Sequence, residues 1–192
     1  MFRIGIIGPE STGKTTLARQ LAAAVGGCAV MEYAREYVEQ LGRPYSYEDV
    51  VLIAREQIRQ LDAYSPALSS KTTGNAEPDS SLGEKSEEKF VFFDTELIVT
   101  KVWFKHKYGE CPAFVTKYLE QSPLDFYLLC SPDLPFVADP VRENPHIRQQ
   151  LFDLYLDNIR HYQVPYAVVS GSGEARLRSA LAAVGKLTAE ES

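Results

Sequence analysis

The sequence predicts an α/β fold in three layers, a parallel sheet with helices on both faces. Two observations carry that prediction. Short apolar runs at Phe2–Ile7, Cys28–Met31, Phe90–Phe93, Phe126–Cys130 and Tyr166–Val169 read as strands covered on both faces. Helical patterns separate them, and strands that alternate with helices build parallel sheets. In such a sheet a ligand belongs at the carboxyl ends of the strands.

The first run leads straight into Gly8-Pro9-Glu10-Ser11-Thr12-Gly13-Lys14-Thr15, which fits G-x-x-x-x-G-K-[ST] at every constrained position. Thr16 and a strong helix-forming stretch follow. Its stripe of Leu17, Leu21 and Val25 is ended by Gly26-Gly27. A strand, a glycine loop and a helix N-terminus make an anion site, because backbone N–H groups and the helix dipole both favour negative charge there. The stretch Gly8, Glu10, Ser11, Thr12, Gly13, Lys14, Thr15 and Thr16 is therefore expected to cradle a nucleotide. Lys14 can reach its β- and γ-phosphates, and the Thr15 hydroxyl can ligate Mg²⁺. ATP with Mg²⁺ is the expected cofactor; the Asn-Lys-x-Asp signature of a guanine switch does not occur.

After the second run comes Glu32-Tyr33-Ala34-Arg35-Glu36-Tyr37. Ionisable groups at a strand's carboxyl end face the same crevice as the phosphate loop. Glu32 can accept or orient the proton of an acceptor hydroxyl. Arg35 can bind the acceptor or neutralise charge on a moving phosphoryl group, and Tyr33 or Tyr37 can stack on a ring. The alternative is a solvated first helical turn. A Ser46-x-x-Asp49 capping signal then opens a helix striped by Val51, Ala54, Ile58 and Leu61.

The third run ends in Asp94-Thr95-Glu96. A carboxylate at such a strand end holds Mg²⁺ in phosphate-loop proteins. Asp94 is the first choice and Glu96 the second, unless Asp94 instead caps a helix beginning at Leu97-Ile98-Val99. Trp103, Phe104 and Tyr108 are either core or part of an acceptor pocket. Pro112 opens a further helix, with Val115, Tyr118 and Leu119 inward. Ile147, Leu151, Leu154 and Ile159 mark another, and a last helix runs from about 173 to 187 before a polar tail, 188–192.

Between the fourth run and that Ile147 stripe, Asp133 to Arg148 carries Pro135, Pro140 and Pro145 in a polar context, which marks a shaped loop. Arg142 and Arg148 make it a candidate lid that closes over the phosphates and excludes water. Ser65 to Glu88 is almost free of apolar residues. Such a stretch buries too little surface to offset its ordering entropy, so a mobile polar insertion within a single domain, 1–192, is expected.

The formal net charge of −6, with Lys and Arg scattered, argues against nucleic acid or an anionic membrane as the main partner. No stretch reaches the roughly 20 apolar residues of a membrane span. Cys28, Cys111 and Cys130 are odd in number and far apart, which points to free thiols and a cytoplasmic location. The expected partner is a small-molecule substrate, and a homo-oligomer is left open.

Together the stretches Gly8–Thr16, Glu32–Tyr37, Phe93–Thr100 with Lys107-Tyr108-Gly109, and Val137–Arg142 resemble the ribosylnicotinamide kinase domain of NadR-type NAD-biosynthesis proteins. The resemblance implies a phosphate-loop kinase fold with the third strand between the first and second, in the order 2-3-1-4-5. It implies transfer of the ATP γ-phosphoryl group to the 5′-hydroxyl of nicotinamide riboside. It carries Lys14 and Thr15 onto the nucleotide and Mg²⁺, Asp94 onto the metal, Glu32, Tyr33 and Arg35 onto the acceptor, and Arg142 onto the lid. Met31 stands where family members often have Trp. NadR-type proteins carry an adenylyltransferase domain ahead of the kinase, whereas this sequence opens at the kinase, so any coupled second activity is expected elsewhere. A kinase for another nucleoside or sugar, and a regulatory nucleotide-dependent ATPase, are the competing readings.

If Arg142 stabilises charge in the transition state, Arg142→Ala should lower turnover by about 10³ or more while changing ATP affinity far less. Steady-state kinetics beside direct nucleotide binding separates the two; equal losses in both would remove the lid role.

Overall fold

The structure, a computed structural model, describes residues 1–65, 89–121, 124–139 and 145–189. The polar stretch 66–88 and Arg142 lie outside the described residues, as do 190–192 of the expected tail.

The strands are β1 (Phe2–Ile7), β2 (Cys28–Val30), β3 (Phe90–Asp94), β4 (Phe126–Cys130) and β5 (Tyr166–Val169). They form one parallel sheet in the order β2-β3-β1-β4-β5. The helices are α1 (Lys14–Val25), α2 (Tyr33–Gln40), α3 (Tyr47–Ala63), α4 (Leu97–Tyr108), α5 (Ala113–Gln121), α6 (Arg148–His161) and α7 (Gly173–Ala189). Alternate residues of each strand feed two separate cores. Ile4, Ile6, Phe90, Phe92 and Leu128 pack with Leu17 and Leu21 of α1 and Ala180 and Val184 of α7. Val91, Phe93, Tyr127 and Leu129 pack on the other face with residues of α3, α4, α5 and α6. This is the expected three-layer α/β/α fold.

Details of the sequence reading shift. β2 ends at Val30 rather than Met31 and is only half-buried, and Val168 of β5 is exposed. Both strands lie at sheet edges, where one side lacks a neighbour. The last helix runs two residues past 187, into the stretch read as tail. Hydrophobic spacing did not single out α2 or α4. α2 buries little beyond Ala34. α4 buries Leu97, Ile98, Thr100, Val102 and Phe104, which leaves no clean polar face to reveal a period. Its N-cap is Glu96, not Asp94: the Glu96 side chain accepts from the Ile98 N–H at 2.8 Å. The Ser46–Asp49 capping box forms as expected.

No helix among the described residues is long and apolar enough to cross a membrane. Cys28, Cys111 and Cys130 are free thiols.

Gly5 sets the spacing of the central strands. It pairs with Tyr127 on β4, and a Cβ at Gly5 would come within 2.6 Å of the Tyr127 ring and 2.9 Å of Leu124. Both neighbours are buried and cannot swing away. Gly5→Ala should therefore cost about 1–3 kcal/mol of stability, read from the denaturant midpoint at constant slope. An unchanged midpoint would mean that the ring has room to retreat.

Candidate functional site

At the carboxyl end of β1 the chain turns sharply. Gly8 leaves the strand where a Cβ would meet the Cys130 carbonyl oxygen at 2.7 Å. Gly13 adopts a left-handed conformation, φ 75°, that lets α1 begin at Lys14. No side chain caps this helix, so its first N–H groups stay open to a ligand. Within the loop, the Thr12 hydroxyl donates to the Pro9 carbonyl at 2.8 Å and the Lys14 ammonium donates to the same oxygen at 3.0 Å.

A cavity of about 260 Å³ opens over the loop. Gly8 and every residue from Glu10 to Thr16 line it, and so do Glu32, the N-cap of α2, and Arg35 in its first turn. The structure thus brings together the phosphate loop and two of the three residues, Glu32 and Arg35, that the resemblance carried onto the acceptor. Arg35 is strongly engaged. Its guanidinium bonds Asp139 at 2.9 Å and lies 3.4 Å from Glu39 and 3.7 Å from Glu32. Burial alone would lower its pKa, but Glu32, Asp139 and Glu39 hold it above the usual value.

Asp94 closes β3 directly beside β1, paired with Ile6. It is fully buried, and neither carboxylate oxygen has a hydrogen-bond partner among the described residues. Desolvation raises its pKa; the nearby Thr15 hydroxyl and the Lys14 charge offset part of that. Buried carboxylate oxygens without partners, next to a threonine hydroxyl, are hard donors that fit Mg²⁺. Among the described residues no cluster of three or more His, Cys, Asp or Glu grips a metal unaided.

The structure places Glu96 elsewhere. Neither it nor Asp94 lines the cavity, but the Glu96 carboxylate is engaged in capping α4, and burial pushes it up to about 8. Tyr33 does not line the cavity either; it packs against Tyr37, ring centroids 5.8 Å apart. Arg148 holds the loop after β4 onto the phosphate loop, donating to the Leu134 carbonyl at 2.9 Å and to the Ser11 carbonyl at 3.4 Å. Desolvation lowers its pKa, and Asp133 and Glu10 oppose that. Ser11 and Val137 add a mutual pair of bonds at 3.1 and 3.3 Å. Of the three aromatic residues in α4, Trp103 lines the cavity, Phe104 is core, and Tyr108 packs edge-on against Tyr47.

Sequence reading missed Arg176, near the start of α7. Its guanidinium is buried and donates twice to the Thr12 carbonyl, at 3.0 and 3.2 Å. It also reaches the Ser131 carbonyl at 2.9 Å, the Gly171 carbonyl at 2.9 Å and Asp133 at 3.0 Å. The signal was present: an arginine that follows Gly-Ser-Gly-Glu-Ala at the end of the last strand. Asp139, the partner of Arg35, was likewise not singled out.

The family model described as AAA domain matches residues 3–176, and the chain belongs to that family. The trifunctional NAD biosynthesis/regulator proteins NadR of Salmonella typhimurium and Escherichia coli are each 27% identical over 143 residues, covering 72% of this chain and 30% of the relative. The chain thus spans less than a third of these curated relatives. The solved structure of NadR protein in complex with NR gives a TM-score of 0.69 at 22% identity, over 96% of this chain and 51% of that one. Deoxyadenosine kinase from M. mycoides with bound dCTP gives 0.54 at 14% identity, over 96% and 100%. These likenesses show the fold. The NadR-type resemblance read from the motifs and the strand order it implied are both borne out.

Arg176→Met should leave the Thr12 carbonyl buried without a donor and cost about 3 kcal/mol of stability. Thermal melts with and without nucleotide should also show a smaller nucleotide-induced rise in Tm. An unchanged melt and an unchanged rise would mean that the loop holds its shape without this side chain.

Proposed function

We propose that this member of the AAA domain family is an ATP-dependent kinase that phosphorylates the 5′-hydroxyl of nicotinamide riboside to give nicotinamide mononucleotide. The observation that carries the proposal is the single cavity in which the phosphate loop meets Glu32 and Arg35. A phosphate loop alone serves a nucleotide switch as well as a kinase; a carboxylate that can take a hydroxyl proton beside it is what an acceptor requires. The names of the relatives, NAD-biosynthesis proteins and a nucleoside kinase, support the same reading.

The catalytic work is positioning and electrostatics. Loop amides and Lys14 hold the β- and γ-phosphates. Thr15 and Asp94 are the residues that would hold Mg²⁺, whose chemistry there is to neutralise phosphate charge. Glu32 takes the proton of the acceptor hydroxyl as its oxygen bonds to the γ-phosphorus. The bond from that phosphorus to the β,γ-bridging oxygen breaks, and ADP leaves. Arg35 steadies the acceptor side, and Arg142 serves as the lid arginine. Arg148 acts through the loops it ties. The protein works in the cytoplasm on a soluble metabolite.

Incubation with Mg-ATP and a panel of nucleosides should yield a product heavier by one phosphate from nicotinamide riboside. Lys14→Ala and Asp94→Asn should each cut the rate by about 10² or more. Phosphate released to water at one rate with or without a nucleoside would overturn the kinase reading in favour of an ATPase. A product from a different nucleoside alone would correct the acceptor.

A further inference from the structure

The same cavity also has an aromatic wall. Tyr45 and Trp103 both line it, together with Val38, Val99 and Val102. The two rings meet edge to face, with centroids 4.8 Å apart and planes at 78°. The Trp103 indole N–H donates to the Tyr45 hydroxyl at 3.1 Å, which fixes both orientations and satisfies the indole's one donor. The Lys107 ammonium lies 3.6 Å from the Tyr45 ring centroid and braces it further.

The loop that carries Tyr45 is held at its far end. Arg43 grips Asp49 with two bonds, at 2.6 and 2.9 Å, and Tyr37 donates to the same carboxylate at 3.0 Å. Asp49 in turn accepts from the Ser46 N–H at 2.7 Å and closes the capping box of α3. The nearby Arg43, Ser46 and Tyr37 donors hold that carboxyl well below the usual carboxylate range. A tyrosine set by this much machinery, against an indole pinned from α4, is a preorganised surface.

The geometry points to this wall as the site that holds the planar ring of the acceptor, with Trp103 as the ring-binding and specificity-determining residue. The inference rests on the proposed kinase reading and deepens it. One cavity combines the polar phosphate loop, the ionisable pair Glu32 and Arg35, and the apolar and aromatic side chains around Tyr45 and Trp103. A nucleoside has parts to match all three: a hydroxyl to be phosphorylated, a ribose and a flat heterocycle. A sugar without a ring base would leave the wall bare. The acceptor class is therefore a nucleoside with an aromatic base, and ring-free sugars and sugar acids are poor substrates. Met31, just past β2, does not line the cavity, so the aromatic surface comes from Trp103 of α4 and from Tyr45.

Trp103 is the sole tryptophan of the chain, so its emission reports this wall directly. Nicotinamide riboside should quench that emission saturably, and D-ribose should not. Trp103→Leu should raise the KM for nicotinamide riboside about ten-fold or more, with kcat and the KM for ATP changed less than about two-fold. Trp103→Phe should recover most of the loss, a rescue that a merely structural role does not predict. Tyr45→Leu should raise the same KM while leaving the tryptophan in place. Phosphoryl transfer to nicotinamide riboside with no quenching, and with an unchanged acceptor KM in both leucine variants, would overturn the wall and leave the kinase reading intact. Saturable quenching without transfer to any nucleoside would support the wall and count against the kinase.

Discussion

The buried guanidinium of Arg176 is the constraint on which the site depends. A loop that turns its amides toward an anion must turn carbonyls away from it, and those carbonyls then need donors inside the protein. The Thr12 carbonyl receives two from one side chain. The same planar fork reaches the carbonyls of Ser131 and Gly171, which follow β4 and β5. Arginine suits this task because its donors are rigidly splayed and its charge persists at any working pH. One residue on α7 thereby fixes the relative positions of three strand ends. Its positive charge also sits behind the phosphate loop, where it adds to the attraction for an anion.

Around this tie the other contacts divide between holding and receiving. Arg148, Ser11 and Val137 fasten the loop after β4 onto the phosphate loop. The Arg35–Asp139 bond joins that loop to α2, on the acceptor side. The two sides of the cavity are thus connected through a segment that leads directly into residues 140–144. A shift in that segment must be felt both at Ser11 and at Arg35, which couples the geometry around the phosphates to the geometry around the acceptor.

The fold was legible in the sequence because parallel strands buried on both faces are continuous apolar runs, and the central ones here, β1, β3 and β4, are just that. Edge strands are less distinct, and β2 lost Met31 to the turn that leads into α2. α4 could be weighed only from its start at Leu97, since a helix wedged between sheet and neighbours is apolar on most sides and shows no clear period. The phosphate loop was fully legible, because its chemistry is carried by neighbours in sequence. Arg176 was not, since its role is defined by carbonyls 5 to 164 positions away. Glu32 and Arg35 could be nominated from their place at a strand end, but their meeting with Asp139 and with the Tyr45–Trp103 pair exists only after folding. Glu96 illustrates the limit: it was read as a second choice for the metal beside Asp94, and the backbone sent Asp94 to the end of β3 and Glu96 to the cap of α4.

That divergence explains which group is left for a ligand. A folded chain satisfies nearly all its buried polar atoms, and exceptions need a reason. Asp94 is the one carboxylate among the described residues with both oxygens buried and unpartnered. Its neighbours on β3 are apolar, and the Thr15 hydroxyl and the Lys14 charge offset only part of the cost of its burial. The adjacent helix N-terminus is similarly left without a capping side chain. Both deficits face the same loop and have opposite polarity, one wanting a cation and the other an anion. A phosphate chain carrying a divalent ion meets both at once. The strand order matters for this reason: by setting β3 directly against β1, it places the two deficits side by side, and a ligand that stabilises either one is drawn toward the other.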